Sequence, residues 1–188
     1  TVEAIQEVTG LPLQLDTSNP AAMEAALRRY NGKPLVNSVN GKEESLETIL
    51  PLVKKYGGGL VCLTLDDEGI PADAQGRLAI AEKIVRRAEA MGIPRRELLV
   101  DGLTMPVSAG GDNAKVTLET LRRAKEELGV KTALGVSNVS FGLPKREQLN
   151  QSFFTMALEQ GLDGAIINPK SEAMMGAYRA YRALAGLD

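Results

Sequence analysis

A chain of 188 residues has the length of one domain and is long enough to bury a sizeable core. Its content of 44% apolar and 24% charged residues is ordinary for a soluble globular protein. A net charge of −2 and an isoelectric point near 5.4 lack the basic excess that is typical of nucleic-acid or membrane-surface binding. We therefore expect neither nucleic acid nor a membrane as a partner.

Metal and disulfide chemistry are also not expected. The sequence has no histidine, and its single cysteine, Cys62, lies inside the apolar run 60–65, where a buried core residue is the natural interpretation. Without histidine the chain also lacks the commonest general base. No stretch approaches the roughly 18 apolar residues of a membrane span, and residues 1–10 do not resemble a signal peptide, so the cytoplasm is the expected location.

Short apolar runs alternate with segments of helical spacing along the chain, which begins within a helical pattern. The runs predict strands near 11–15, 35–36, 60–65, 98–100, 132–136 and 165–167. The periodic segments predict helices near 1–8, 20–30, 42–56, 78–88, 118–128, 146–159 and 172–184. Ser18 and Asn19 supply capping side chains before Pro20, and Asp112 is the expected cap of the fifth of these helices.

Strict strand–helix alternation predicts parallel strands joined by right-handed crossovers. The strands are continuously apolar, as expected where helices cover the sheet. Six such units fit an open doubly wound sheet or most of a (β/α)8 barrel, which typically needs about 250 residues. We expect an α/β fold of the TIM (β/α)8 type with six βα units, the first two missing, so that residues 1–188 form one N-terminally incomplete domain.

Polar side chains follow each predicted strand, on the side where such folds bind ligands. These residues are Asp16, Asn37, Asp66, Asp101, Asn138 and Asn168. Four of them, Asp16, Asn37, Asp101 and Asn138, lie at the expected last strand position, two or more residues before any helix cap. Two carboxylates and two amides without a cation suit a neutral heterocycle rich in N–H donors better than a phosphate or a carboxylate.

Four segments, Leu15–Asn19, Val36–Gly41, Val100–Asp101 and Gly135–Ser140, resemble the pterin-binding methyltransferase family in sequence and in order. The runs 137–144 and 161–169 are most similar to the methyltetrahydrofolate-binding module of bacterial cobalamin-dependent methionine synthase. The resemblance covers essentially the whole chain. It implies a TIM-type barrel that binds 5-methyltetrahydrofolate and passes its N5-methyl group to cob(I)alamin, carried by a partner domain or corrinoid protein.

The resemblance also implies roles for individual residues. Asp16, Asn37 and Asp101 match the positions that hold the pterin ring, and Asn138 matches the asparagine that reaches N5. Arg146 lies near a position where the family places an arginine close to the folate. We expect catalysis to rest on Asn138, with a proton delivered from solvent through a polar network that includes Asp101, because none of the four is a good acid at neutral pH by residue type.

Several alternatives stay open on the sequence. The chain could be a module of a longer methionine synthase or a free-standing methyltetrahydrofolate:corrinoid protein methyltransferase. Dihydropteroate synthase shares the fold and the early Asp and Asn, but it needs basic residues after the later strands, which here end in Ser137-Asn138 and Asn168-Pro169. A non-catalytic barrel fragment is a fourth alternative, and whether the chain forms a homodimer is likewise undecided.

Overall fold

A curled sheet of parallel strands is the centre of the computed structural model, which describes residues 1–187. Its strands are β1 (Gln14–Asp16), β2 (Leu35–Asn40), β3 (Gly59–Leu63), β4 (Leu98–Asp101), β5 (Lys131–Gly135) and β6 (Gly164–Ile166). The order in the sheet follows the order in the chain, and every neighbouring pair is parallel. The prediction of six βα units in a barrel-type α/β fold is confirmed, in the form of a half-barrel.

Helices connect the strands and cover one side of the sheet. They are α1 (Val2–Gln6), α2 (Pro20–Arg29), α3 (Glu43–Tyr56), α4 (Ala74–Ala90), α5 (Asn113–Arg123), α6 (Arg146–Glu159) and α7 (Glu172–Leu184). A π-helical turn, Ala124–Leu128, extends α5, and 3-10 turns lie at Arg95–Glu97 and Val136–Ser140. The predicted limits of α6 and α7 agree with these bounds, because their apolar spacing runs up to a clear stop at both ends.

Capping explains where α2 begins, as the sequence predicts. The Asn19 side-chain oxygen accepts the N–H of Ala22 at 3.1 Å, and Pro20 occupies the first helical position. The expected cap of α5 is wrong in its chemistry. Asp112 precedes the helix, but it has helical dihedral angles and makes no capping bond; its carboxylate instead pairs with Lys115 at 3.0 Å.

Four strand ends differ from the predicted ones. β6 stops at Ile166, so that Asn168 lies two residues beyond it. β2 continues past Asn37 to Asn40, because a shift of register between Asn37 and Val39 lets Val39 bury itself and keeps the pairing with β3. β3 stops at Leu63, so that Asp66 lies in the following turn, where it bridges Gly69. β5 stops at Gly135, and a 3-10 turn carries the chain onward.

Two hydrophobic clusters hold the helices on the sheet. The larger one joins β1–β4 to α2, α3 and α4, and it includes the fully buried Met23, Leu46, Leu50 and Ile84. The smaller one joins β5 to α5, α6 and α7 around Leu121, Leu134, Phe153 and Phe154. Burial of each large side chain contributes roughly 1.5–3 kcal/mol to folding. The scaffold beneath the strand ends is therefore well packed from β1 to β5, whereas the residues of β6 are half-buried or exposed.

Candidate functional site

Alternation along the strands divides their side chains between two faces. Leu15, Val36, Cys62 and Val100 all belong to the cluster that packs on the helices. Their neighbours Asp16, Asn37, Leu63 and Asp101 therefore point to the opposite, helix-free side of the sheet, which we call the inner face. Three of the four pterin-site residues predicted from the sequence lie on this face.

Register fixes how close these residues are. Asp16 pairs directly with Asn37 across β1 and β2, so the carboxylate and the amide are side by side. Asp101 pairs with Leu63 and with Ala133. This row lies two residues nearer to the carboxyl ends of the strands than the row that contains Asp16 and Asn37. The three side chains thus come from three strands but share one end of one face.

A polar cavity of about 400 Å³ opens beside Asp16 and Asn37. Its other polar lining residues are Thr17, Ser18, Ser38, Asn40, Lys42, Glu44, Ser45 and Thr48. Asn40 is held in place because its N–H donates to Ser45 Oγ at 3.1 Å and its side-chain oxygen accepts from Lys42 N–H at 3.0 Å. These polar residues, together with Asp16 and Asn37, form the entrance to the cavity.

Asp101 is the buried member of the set, with 8% of its surface exposed. Burial raises the pKa of its carboxyl to about 6, while the N–H of Leu103, donating to Oδ1 at 2.8 Å, and the charge of Arg77 oppose this rise. Asp101 therefore departs from the expectation that none of the four predicted residues is a good acid near neutral pH. Asp101 can exchange a proton in the neutral range.

Asn138 lies in the 3-10 turn after β5 and is exposed. Its side-chain nitrogen is 3.3 Å from the point that a Cβ on Gly135 would occupy. Gly135 is the last residue of β5 and pairs with Ile166, two residues beyond Ala133, which pairs with Asp101. The amide of Asn138 therefore folds back over the strand end, into space that the absent side chain of Gly135 leaves open.

Arg146, at the start of α6, braces this turn. Its Nη2 donates to the carbonyl of Ser137 at 2.9 Å and its Nε to Ser140 Oγ at 3.0 Å. The guanidinium also lies 5.7 Å from the ring centre of Phe141. Both hydrogen bonds tie α6 to the segment that carries Asn138.

The structure does not bring Arg146 into the cavity of Asp16 and Asn37. It lines a second polar cavity of about 480 Å³, between the β5 turn and the start of α7, together with Ser137, Asn150 and Asn168. Asp101 and Asn138 line neither cavity. Asp16 and Asn37 therefore form one pair, and Asn138 and Arg146 belong to the β5–α6 segment, which β3 and β4 separate from that pair.

Sequence reasoning missed Arg77 and Thr104. Arg77 lies on α4, and its spacing from Ala81 and Ile84 places it on the buried face of that helix; an arginine at such a position was the available signal. Thr104 is buried, and its hydroxyl has no hydrogen-bond partner within residues 1–187. Nothing in the local sequence marks that threonine.

The described part of the chain offers no helix that is long and apolar enough to cross a membrane. Residues 1–187 also contain no group of three or more potential metal-binding side chains of the His, Cys, Asp and Glu types. Cys62 is buried as predicted, and burial raises the pKa of its thiol to about 12. That thiol is therefore a core group.

Comparison of the sequence with known proteins finds one matching family and several relatives, which agree with one another. A family described as "Pterin binding enzyme" matches residues 1–168. The chain is 31% identical to the methylcorrinoid:tetrahydrofolate methyltransferase of Eubacterium limosum, over 100% of this chain and 70% of that protein. It is 34% identical to the methionine synthase of Mycobacterium tuberculosis, over 84% of this chain and only 14% of that protein.

Solved structures resemble the fold. A dihydropteroate synthase of Xanthomonas albilineans, determined with 4-aminobenzoic acid, superposes with a TM-score of 0.79 at 23% identity, over 100% of this chain and 72% of that chain. At this level of identity, the likeness shows the barrel architecture alone.

Proposed function

This chain belongs to the pterin-binding enzyme family, among its methyltransferases, and on that premise we propose that it binds 5-methyltetrahydrofolate and prepares the N5-methyl group for transfer to a corrinoid. The observation that carries the proposal is the grouping of Asp16, Asn37 and Asp101 at one end of the inner face. We take residues 1–188 as one functional module, which acts with a partner domain or protein.

The proposed binding mode follows from donor and acceptor chemistry. A 2-amino-4-oxo-pterin presents N–H groups at its amino, N3 and N8 positions. Carboxylates such as Asp16 and Asp101 accept these hydrogen bonds, and Asn37 can both donate to and accept from the ring edge. The neighbouring cavity of about 400 Å³ gives space for a bicyclic ring beside Asp16 and Asn37.

Asn138 is proposed to act at N5. When the methyl group leaves, N5 must be protonated at or before transfer, and the amide can hydrogen-bond either the protonated or the developing charged nitrogen. Its position above Gly135, at the end of the strand next to Asp101, supports this role. Asp101, with a pKa of about 6, is suited to exchanging protons with solvent for this step.

The methyl acceptor is assigned to a partner. A cob(I)alamin on another domain or protein supplies the nucleophile that takes the methyl group. This chain has no histidine and one buried cysteine, so it does not offer the side chains that commonly ligate a transition metal. Its own residues would bind the pterin, orient N5 and handle the proton.

Two arrangements of the longer system fit the relatives. The methionine synthase named above is a much longer protein, of which this chain matches 14%. This chain matches 70% of the Eubacterium limosum enzyme, which is named for the same two partners with donor and acceptor exchanged. We favour a methionine-synthase-like module, with a free-standing enzyme as the second arrangement.

Calorimetric titration of the 188-residue chain with 5-methyltetrahydrofolate tests the proposal. Methyl transfer to free cob(I)alamin, followed by absorbance, supplies the rate. We expect Asn138→Ala to slow transfer by about 100-fold while weakening binding only a fewfold, because its bond to N5 strengthens in the transition state. Asp16→Asn should mainly weaken binding, by about tenfold, through the loss of a charged acceptor.

Asp66→Asn is the matched control, since this residue also follows a strand but its carboxylate accepts the Glu68 N–H at 3.0 Å and its backbone bridges Gly69 in the turn. It should change neither quantity. Equal losses of affinity and rate in the Asn138 and Asp16 variants would refute the division of roles. Failure of the unaltered chain to bind 5-methyltetrahydrofolate, with binding of a dihydropterin diphosphate instead, would overturn the function itself.

A further inference from the structure

A buried arginine lies behind the proposed site, on a helix that supplies none of the pterin residues. Arg77 of α4 is only 2% exposed and is among the largest fully buried side chains of the molecule. It sits among the apolar residues of α4, such as Leu78 and Ala81. A buried guanidinium costs several kcal/mol unless its hydrogen bonds are satisfied, so its contacts identify what it does.

Those contacts are neutral oxygens, most of them backbone carbonyls. Nη1 donates to the carbonyls of Gly102 and Leu103 at 2.7 and 2.8 Å, and Nε donates to the carbonyl of Pro71 at 3.0 Å. A longer bond of 3.4 Å reaches Thr117 Oγ1. Arg77 therefore holds two consecutive carbonyls immediately after Asp101 through the single nitrogen Nη1, and none of these neutral acceptors neutralises its positive charge.

The Gly102–Leu103 segment has a strained backbone and donates a hydrogen bond to the Asp101 carboxylate. Leu103 has a φ of 55°, in the left-handed region that costs an L-residue roughly 1–2 kcal/mol. In this conformation its N–H points at Asp101 Oδ1 and donates to it at 2.8 Å. The bonds from Arg77 hold the carbonyls on either side of that N–H, and they stabilise the conformation that aims it.

The charge of Arg77 acts on the same carboxylate. It is the charged group whose field opposes the effect of burial on the pKa of Asp101, and Asp73, at the start of α4, acts in turn on Arg77. Helix α4 therefore acts on the end of β4 in two ways, through the hydrogen bonds of Arg77 and through its charge.

We propose that Arg77 is a positioning residue for methyl transfer: its hydrogen bonds fix the Gly102–Leu103 segment so that Asp101 presents its free oxygen to the pterin ring, and its charge keeps that carboxylate anionic. This role rests on the proposed function only for the identity of the ligand. The effect of Arg77 on the ionisation of Asp101 does not need a ligand, so it can be measured separately from folate binding.

The first measurement is a titration of the ligand-free protein by carbon-13 NMR with labelled aspartate, in which the Asp101 signal is assigned by its loss in Asp101→Asn. We expect Arg77→Met to move the Asp101 midpoint upward from about 6 by at least about one pH unit, because an opposing charge is removed. Arg77→Lys should leave the midpoint close to its original value, since it keeps the charge.

The matched control is Arg95→Met, in the 3-10 turn before β4, which removes a charge as Arg77→Met does. Arg95 also donates to a backbone carbonyl, that of Leu128 at 2.9 Å, but it contacts nothing near Asp101. This variant should leave the Asp101 midpoint unchanged. An unchanged midpoint in Arg77→Met, or an equal movement in Arg95→Met, would overturn the proposal. If Arg77→Met does not fold, a midpoint in Arg77→Lys that rises by about one unit would overturn it.

The second measurement is the affinity for 5-methyltetrahydrofolate at pH 8, where the Asp101 carboxyl is ionised in all folded variants. We expect Arg77→Lys to lose affinity about tenfold there, because one ammonium nitrogen cannot keep the bonds that Nη1 makes to Gly102 and Leu103 and also the bond that Nε makes to Pro71. Unchanged affinity in this variant would refute the positioning role. If the unaltered protein does not bind the folate while the midpoints move as expected, the proposed function fails and the Arg77–Asp101 coupling stands.

Discussion

Burial makes Asp101 easier to protonate than an exposed aspartate, although the ionised carboxylate is still the main form near neutral pH. Its pKa of about 6 lies above the ordinary value of 3.8, so the folded state binds this proton more tightly than the unfolded state does. The stabilisation from the protonated carboxyl is fully present below about pH 4 and is lost as the pH rises through 6. Near neutral pH the ionised, buried carboxylate therefore lowers the stability of the fold.

Asp101→Asn should consequently raise the free energy of unfolding at pH 7.5 by about 1–3 kcal/mol. The amide oxygen can still accept the N–H of Leu103, so no hydrogen bond need be lost. Urea unfolding between pH 4 and 8 measures this effect and should show a flatter profile for the variant. Asp67→Asn, an exposed carboxylate, is the control. A variant no more stable than the original at pH 7.5 would contradict the expected cost of burial.

Gly135 is predicted to control the placement of the Asn138 amide. A Cβ at this position would lie 3.3 Å from Nδ2 of Asn138, closer than ordinary contact, so Gly135→Ala should push the amide aside. We expect methyl transfer to slow by about tenfold or more with little loss of stability, because misplacement by a fraction of an ångström is costly for catalysis. Transfer kinetics and thermal unfolding measure the two effects.

Gly164→Ala is the matched control for that substitution. It adds the same methyl group to the neighbouring strand, where the nearest atoms would be 3.7 Å away. Its transfer rate should equal that of the original chain. Equal rates for Gly135→Ala and Gly164→Ala would argue against a role for the space above Gly135.

At the scale of elements, helix caps can be compared within one molecule. Asn19 makes a capping bond and Asp112 does not, although both immediately precede a helix. We expect Asn19→Ala to lower the free energy of unfolding by about 1 kcal/mol and Asp112→Ala to change it by less than about 0.5 kcal/mol. Urea unfolding of both variants measures this difference, and similar losses would show that the observed capping bond does not decide stability.

At the scale of the whole molecule, strand order decides which residues meet. Because every strand is parallel to its neighbours, all their carboxyl ends lie at one rim, and the polar residues that follow them gather there. The two hydrophobic clusters place a packed layer behind this rim from β1 to β5. The candidate site is therefore supported by the core although its residues are scattered through the sequence.

The sequence by itself determined the alternation of strands and helices, the parallel topology and the polar strand ends. These features follow from local periodicity, from glycine stops and from caps such as Asn19, which act between residues close in the chain. It also placed Asp16 and Asp101 correctly at the ends of β1 and β4. Local rules were sufficient there because each strand is a short apolar run with a sharp polar end.

Only the tertiary structure decided the rest. The register shift in β2 extends the strand past Asn37, because the longer strand keeps its pairing with β3 and buries Val39. The grip of Arg77 on the segment after Asp101 and the space above Gly135 are contacts between chain segments, set by how α4 and β5 pack. No local pattern encodes such contacts, since they depend on the three-dimensional arrangement of the whole sheet and its helices.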